Sequence, residues 1–336
     1  MTASEATATL IRLLAGQQLT QAIHVAAVLR VPDLLAEGPR GAAELAESAG
    51  ADADALYRLL RALAAVGLFE ERSGREFALT ELGGLLRSDV PGSLHAWALL
   101  QGRPYFREAW GALEHAIRTG ENAFRHVHGT DVWSWRAERP EESALFDGAM
   151  RALTAAGHRA LLDAYDFSRF GTVVDVGGGN GTLIAAILRA HPGVRGIVFD
   201  QPHVVAGAEA VLRAAGVDER AHTEPGDFFA SVPAGGDAYL LKMIVHDWED
   251  GEVVSILGSV RRAIAAHGVL LVIERELGPP NSELGPKLGD LNMLVMPGGR
   301  ERTVEEYAAL YEHAGFELVD VARAANGWNV FEGKPV

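Results

Sequence analysis

From Gly171 onward, short β-branched runs alternate with helical stretches, and this alternation restricts the fold more than any other feature of the chain. The runs are TVVDV (172–176), GIVFD (196–200), DAYLLK (237–242), GVLLVIE (268–274), FELVD (316–320) and WNVFE (328–332). Between the third and the fourth, Val253, Ile256, Leu257, Val260 and Ile264 recur at helical spacing and predict an amphipathic covering helix. Strands alternating with helices imply an α/β domain with a Rossmann-like, doubly wound, mostly parallel sheet covered on both sides. Ligands of such sheets bind at the carboxyl ends of the strands.

The preceding half reads differently. From Gly41 to Leu82, Leu56, Leu59, Leu60 and Leu63 give one apolar helical face, Gly67 stops the helix, and a ribbon starts at Phe69 with its turn at Ser73-Gly74. Helix, turn, helix and ribbon is a winged-helix outline. A DNA-reading version needs a basic recognition surface. This segment carries eight acids (Glu44, Glu47, Asp52, Asp54, Glu70, Glu71, Glu76, Glu81) against four arginines (Arg58, Arg61, Arg72, Arg75), so a packing or dimerisation module is expected. The net charge of −15 and only three lysines also argue against a nucleic-acid partner.

The expected organisation is a winged-helix-like domain over 1–95 and a second domain over 96–336, of which 96–163 forms a helical segment over the substrate. That segment is rich in aromatics, among them Trp97, Tyr105, Phe106, Trp110, Phe124, Trp133, Trp135 and Phe146; some must be core and others could line a pocket for a flat ligand. His126 and His128 in HVH invite a metal reading. With no carboxylate at ligand spacing and no third histidine nearby, they are expected to be loop residues without a ligand role.

The absence of cysteine excludes disulfides, thiolate metal sites and cysteine nucleophiles. No apolar run is long enough to span a bilayer, and MTASEATATL lacks a basic start, so a soluble cytoplasmic protein is expected.

The first strand of the second half leads into VVDVGGGNGTLIAAIL. Gly177, Gly178, Gly179 and Gly181 let the backbone turn tightly and approach a ligand at a helix N-terminus. The dinucleotide spacing G-x-G-x-x-G is not met, because Thr182 or Ile184 stands where the third glycine belongs. Asp200 at the tip of the second strand suits ribose hydroxyls. In PGDFF, Asp227 can accept from an exocyclic amine and Phe228 can cover a purine. Together these describe a site for an adenosine without a pyrophosphate.

VVDVGGGNG, FDQPHVV, GDFF, LLKMIVHDWED, LVIE and GDLNMLVMPGGRERT follow the order seen in the S-adenosylmethionine-dependent small-molecule O-methyltransferases, which the chain resembles over nearly its whole length. The resemblance implies a class I methyltransferase fold, a homodimer formed through the N-terminal domain, and no metal. It implies cofactor contacts from Gly177, Gly178, Gly179, Asp200, Gly226, Asp227, Phe228, Lys242 and Trp248. Met150, Asn292 and Met296 are the substrate-facing positions by analogy. His246 becomes the general base, with Glu274 and Glu301 flanking and holding its ring.

The chemistry agrees with that role. A phenol with a pKa of about 10 is mostly protonated at neutral pH, and a neutral imidazole with a pKa near about 6.5 can take its proton as the oxygen attacks a sulfonium methyl. A carboxylate on the other ring nitrogen fixes the tautomer. Plainer alternatives exist: an Arg300 or Arg302 salt bridge for Glu301, a solvated strand end for Glu274, a solvent-reaching Lys242, and a helix-capping role for Asp247. Relatives that keep this cofactor but hydroxylate, decarboxylate or cyclise are the nearest rival reading. A ligand-sensing regulator and a dehydrogenase are more distant ones.

Overall fold

The computed structural model describes residues 2–155 and 157–336. The chain folds as two compact units, Met1–Gly111 with Ser134–Ala156, and Ala112–Trp133 with Gly157–Val336.

In the first unit, Asp52 caps the helix Ala53–Ala64 by accepting from the Ala55 N–H, and that helix buries Leu56, Leu60 and Leu63. Gly67 follows in the left-handed region at φ +82°. The ribbon Phe69–Arg72 and Glu76–Leu79 is antiparallel, and Gly74 at φ +79° lies in its turn. A third short strand, Arg40–Gly41, pairs with Phe77 and Glu76. Leu45, Leu60, Leu63 and Phe77 are fully buried in this core. By contrast the helix Ala3–Leu14 buries none of its residues, and Leu10, Ile11, Leu13 and Leu14 are each more than half exposed.

The second unit is built on a seven-stranded sheet: β1 Thr172–Val176, β2 Arg195–Asp200, β3 Ala221–Pro225, β4 Ala238–Lys242, β5 Val269–Arg275, β6 Phe316–Arg323 and β7 Trp328–Pro335. Their spatial order is β3-β2-β1-β4-β5-β7-β6. Strands β1 to β5 are parallel to their neighbours, as the alternation predicts, but β7 runs antiparallel to both β5 and β6. The sequence expectation of six strands in this unit is also corrected, because Ala221–Pro225 is a seventh. It closes one edge of the sheet and is only partly buried, so its sequence, AHTEP, carries no apolar run.

Alternate residues of each central strand point to opposite faces. Val173, Leu240, Leu271 and Ile273 enter one core, and Val174, Tyr239, Leu241, Leu270 and Val272 enter the other. The helix Asp250–Ala263 lays Val253, Ile256, Leu257 and Val260 on the second face. Glu249 caps that helix in a reciprocal box with Glu252, which corrects the capping role expected for Asp247. Among the described residues no helix is long and apolar enough to cross a membrane.

Candidate active site

The carboxyl ends of β1, β2, β4 and β5 converge on one set of side chains. After β1, the Gly177 and Gly178 N–H groups both donate to the Phe199 carbonyl, and the Gly179 N–H donates to Asp200 Oδ2 at 2.8 Å. The Gln201 N–H donates to the other Asp200 oxygen at 2.7 Å. Asp200 is therefore held by backbone at the tip of β2. Gly177 sits at φ +73°, and a Cβ on it would lie 2.4 Å from Ile244 Cδ1, so the glycine loop and the turn after β4 meet here without room for a side chain. Gly226 likewise lies against the Phe199 ring, where a Cβ would come within 2.4 Å.

Beyond β3, Asp227 is exposed and turns its own backbone by accepting from the Phe229 N–H. Phe228 and Phe229, tilted against each other, both pack edge to face with Trp248, and Trp133 stacks beside Trp248 with centroids 6.4 Å apart. Trp133 appeared in the sequence only as one of eight aromatics. Its place beside Trp248 could not be read from spacing.

Lys242, at the end of β4, is half-buried rather than reaching freely into solvent, and its ammonium lies 4.9 Å from the Trp328 ring centroid. Burial pulls its pKa down to about 8 against the attraction of Asp175 and Glu274. Asp175 went unassigned in the sequence reading, although an acid inside VVDV was the available signal. It lies under Gly178, and burial pushes its carboxyl up to about 7 against the pull of Lys242. Met243 follows at φ +57°, a strained conformation for a side-chain-bearing residue, at the bend that delivers the next segment.

That segment is the short 3₁₀ turn Val245–Asp247. Glu274, at the end of β5 and fully buried, organises it with both oxygens. One accepts from the Ile244 and His246 N–H groups at 3.0 and 3.3 Å, and the other lies 2.6 Å from His246 Nδ1. The expected alternative of a solvated strand end is thereby corrected. This contact places a proton on Nδ1 and leaves Nε2 to face away, 3.4 Å from Asp247 Oδ1. His246 is itself only 7% exposed. Burial alone would lower its pKa; the carboxylates of Glu274, Asp247 and Glu301 overcome that and raise it to about 10.

Glu301 brings a third carboxylate, with a ligand-capable oxygen within 4.8 Å of those of His246 and Glu274. Its Oε2 is buried without a hydrogen-bond partner. Burial pushes its carboxyl up to about 7, with His246 opposing. The expected competitor, an ion pair with Arg300 or Arg302, does not form among the described residues: Arg302 binds Asp250 Oδ1 at 2.7 Å instead. Arg302 is fully buried and also donates to the carbonyls of Val245, Trp248 and Arg300 at 3.0, 2.9 and 3.2 Å. It fastens the His246 segment at both ends, a role the sequence reading missed. Gly299 completes the support, since a Cβ there would lie 2.1 Å from the His246 carbonyl oxygen.

The substrate candidates fall in two places. Asn292 is on the helix Leu284–Val295, and Met296 directly follows it, buried. Met150 belongs to the first unit, on the helix Pro140–Ala155. The HVH pair is corrected: His126 and His128 lie in the helix Ala123–His128, and His126 has both Glu121 and His115 beside it.

A glycine loop after β1, an acid at the tip of β2, the Phe228–Phe229–Trp248 group and a buried His246–Glu274 pair thus lie at the carboxyl ends of the strands of this α/β unit. The profile of the O-methyltransferase domain matches residues 110–317, and that of the O-methyltransferase dimerisation domain matches residues 11–89. The chain is 48% identical to the O-demethylpuromycin O-methyltransferase of Streptomyces alboniger, covering 93% of this chain and 84% of that one. It is 42% identical to a phenazine O-methyltransferase of Lysobacter antibioticus, covering 97% and 96%. It superposes on an O-methyltransferase from neocarzinostatin biosynthesis, solved with S-adenosylmethionine and 2-hydroxy-5-methyl naphthoic acid, with a TM-score of 0.84 and 36% identity over 97% and 98% of the two chains. Relatives named as N-methyltransferases match as well. The chain belongs to the S-adenosylmethionine-dependent O-methyltransferase family.

Proposed function

We propose that this enzyme moves a methyl group from S-adenosylmethionine to a hydroxyl of an aromatic small molecule, with His246 as the general base and no metal. The observation that carries this reading is the 2.6 Å contact between His246 Nδ1 and a fully buried Glu274. S-adenosylmethionine, when bound, supplies an electrophilic methyl on a positively charged sulfur. The donor set suits it. Gly177, Gly178, Gly179 and Gly226 give close backbone approach, Asp200 is set for ribose hydroxyls, and Asp227 is set for an amino group. Phe228 and Trp248 offer a cover for a purine, and the half-buried Lys242 borders the same loop.

The chain's own chemistry is proton handling. His246 Nε2 accepts the phenolic proton while the oxygen–carbon bond forms, the sulfur–carbon bond breaks and its electron pair stays on sulfur. Glu274 fixes the tautomer and stabilises the resulting imidazolium, and Glu301 adds a further carboxylate beside the ring. Both Glu274 oxygens already accept N–H donors, which favours the ring-orienting role over a metal-ligand role. A base of raised pKa suits a hydroxyl, which must lose its proton to become a good nucleophile; a neutral arylamine need not. Asn292 and Met296 are proposed to contact the substrate.

The pH dependence tests the dyad. A base must be unprotonated to act, so kcat/KM rises with pH, and the midpoint of the rise lies well above the ordinary imidazole value because the surrounding carboxylates raise it. In Glu274→Gln the largest of those carboxylate effects is lost, so the midpoint moves to lower pH and the plateau falls. A midpoint identical in the two enzymes would remove Glu274 from the mechanism.

The homodimer proposed for this chain is supported by the apolar residues Leu10, Ile11, Leu13 and Leu14 on a helix that buries nothing within its own chain. Sedimentation of the wild type is expected to give a dimer and that of Leu10→Glu/Leu14→Glu a monomer. A monomeric wild type at micromolar concentration would contradict this.

A further inference from the structure

We propose that His115, Glu121 and His126 form a surface site for a divalent transition-metal ion, zinc foremost, built from none of the residues assigned above to methyl transfer. His115 lies on the helix Leu113–Thr119, which Gly120 ends in the left-handed region at φ +76°. That turn brings Glu121 back beside the two histidines. His115 Nε2 lies 2.7 Å and His126 Nδ1 3.9 Å from the same oxygen, Glu121 Oε2. The two imidazole rings stack with centroids 3.6 Å apart and planes 13° from parallel. All three donor atoms lie within 4.8 Å of one another.

The backbone beneath them is tied down on either side. The Glu121 N–H donates to Thr119 Oγ1 at 3.1 Å, and Asn122 Oδ1 accepts the Arg125 N–H at 2.8 Å to cap the helix Ala123–His128. Asn122 Nδ2 also donates to the Leu294 carbonyl at 2.8 Å. The chain reversal is therefore set before any ion arrives, and only side-chain rotation remains. A tetrahedral ion with bonds of about 2.0–2.2 Å requires donors roughly 3.3–3.5 Å apart, a closure of about 1.5 Å or less from the separations here. Glu121 and His126 are exposed and His115 is half-buried, so their side chains have the freedom to make it.

Two imidazoles and one carboxylate select zinc, nickel or copper over magnesium or calcium, which take oxygen donors. Three protein ligands leave a coordination position for water.

Calorimetric titration of zinc chloride into tag-free protein tests the site. The expected result is saturable binding of one zinc per chain, retained in His246→Ala. Each of His115→Ala, Glu121→Gln and His126→Ala is expected to weaken it at least tenfold, about the loss caused by removing even an outer-shell partner. Cobalt(II) is expected to give visible ligand-field absorption in the wild type that disappears in His126→Ala, with circular dichroism showing that variant folded. No saturable binding, binding unchanged in the three variants, or binding lost in His246→Ala would each overturn the proposal. The last would move the ion to His246, Glu274 and Glu301.

Discussion

Replacing His246 with alanine is expected to lower kcat for methyl transfer by about 10²–10⁴, the usual contribution of a positioned general base. The affinity for S-adenosylmethionine should stay within about twofold, because the loss falls on the proton-transfer step and not on uniform binding. A fully buried carboxylate costs free energy unless it is hydrogen-bonded, and that of Glu274 is used three times, on two backbone N–H groups and on the ring. The result is an imidazole held in one orientation, whose Nε2 is the atom proposed above to take the proton once it is itself deprotonated. Steady-state rates on a phenolic substrate together with calorimetry of cofactor binding check both halves. A variant that keeps more than about a tenth of wild-type kcat would show that deprotonation does not depend on this ring.

Replacing Arg302 with methionine is expected to cost about 3–5 kcal/mol of stability and most of the activity. Its guanidinium is wholly buried and donates to three carbonyls and to Asp250. Asp250 is largely exposed and can return to water, but the carbonyls of Val245 and Trp248 would lose a charged donor where water cannot readily replace it. Those carbonyls bracket His246, so the same change loosens the segment that carries it. Arg302→Lys is expected to recover part of the stability and less of the rate, since a point charge cannot reach four acceptors in a fixed plane. Denaturation midpoints measured beside kcat check this. A methionine variant as stable and active as the wild type would show that the segment holds itself.

Much of this was legible in the sequence because it rests on local pattern. The runs that became β1, β2, β4 and β5 are apolar on both faces, and the glycines after β1 had a conformational reason to be there. Glu274 stands at the end of such a run and His246 a few residues past another, but it is the family resemblance that pairs them. What was not legible rests on direction or on edges. β3 is a partly buried edge strand with no apolar signature, and β7 runs against its neighbours for reasons no local window contains. Arg302 and Glu301 are adjacent, and only the fold decides that the arginine turns to Asp250 while the acid turns to the histidine. The His115–Glu121–His126 group was missed because a left-handed glycine, and not helical spacing, brings its members together.

The central claim is that the bound cofactor gives up its methyl to a hydroxyl of an aromatic acceptor. Mass spectrometry of S-adenosylmethionine incubated with the enzyme and a panel of phenols tests it most directly. S-adenosylhomocysteine and an O-methylated product are expected in equal amounts, with both falling together in His246→Ala. An acceptor product of altered mass that carries no added methyl, formed while the cofactor is recovered intact, would contradict it.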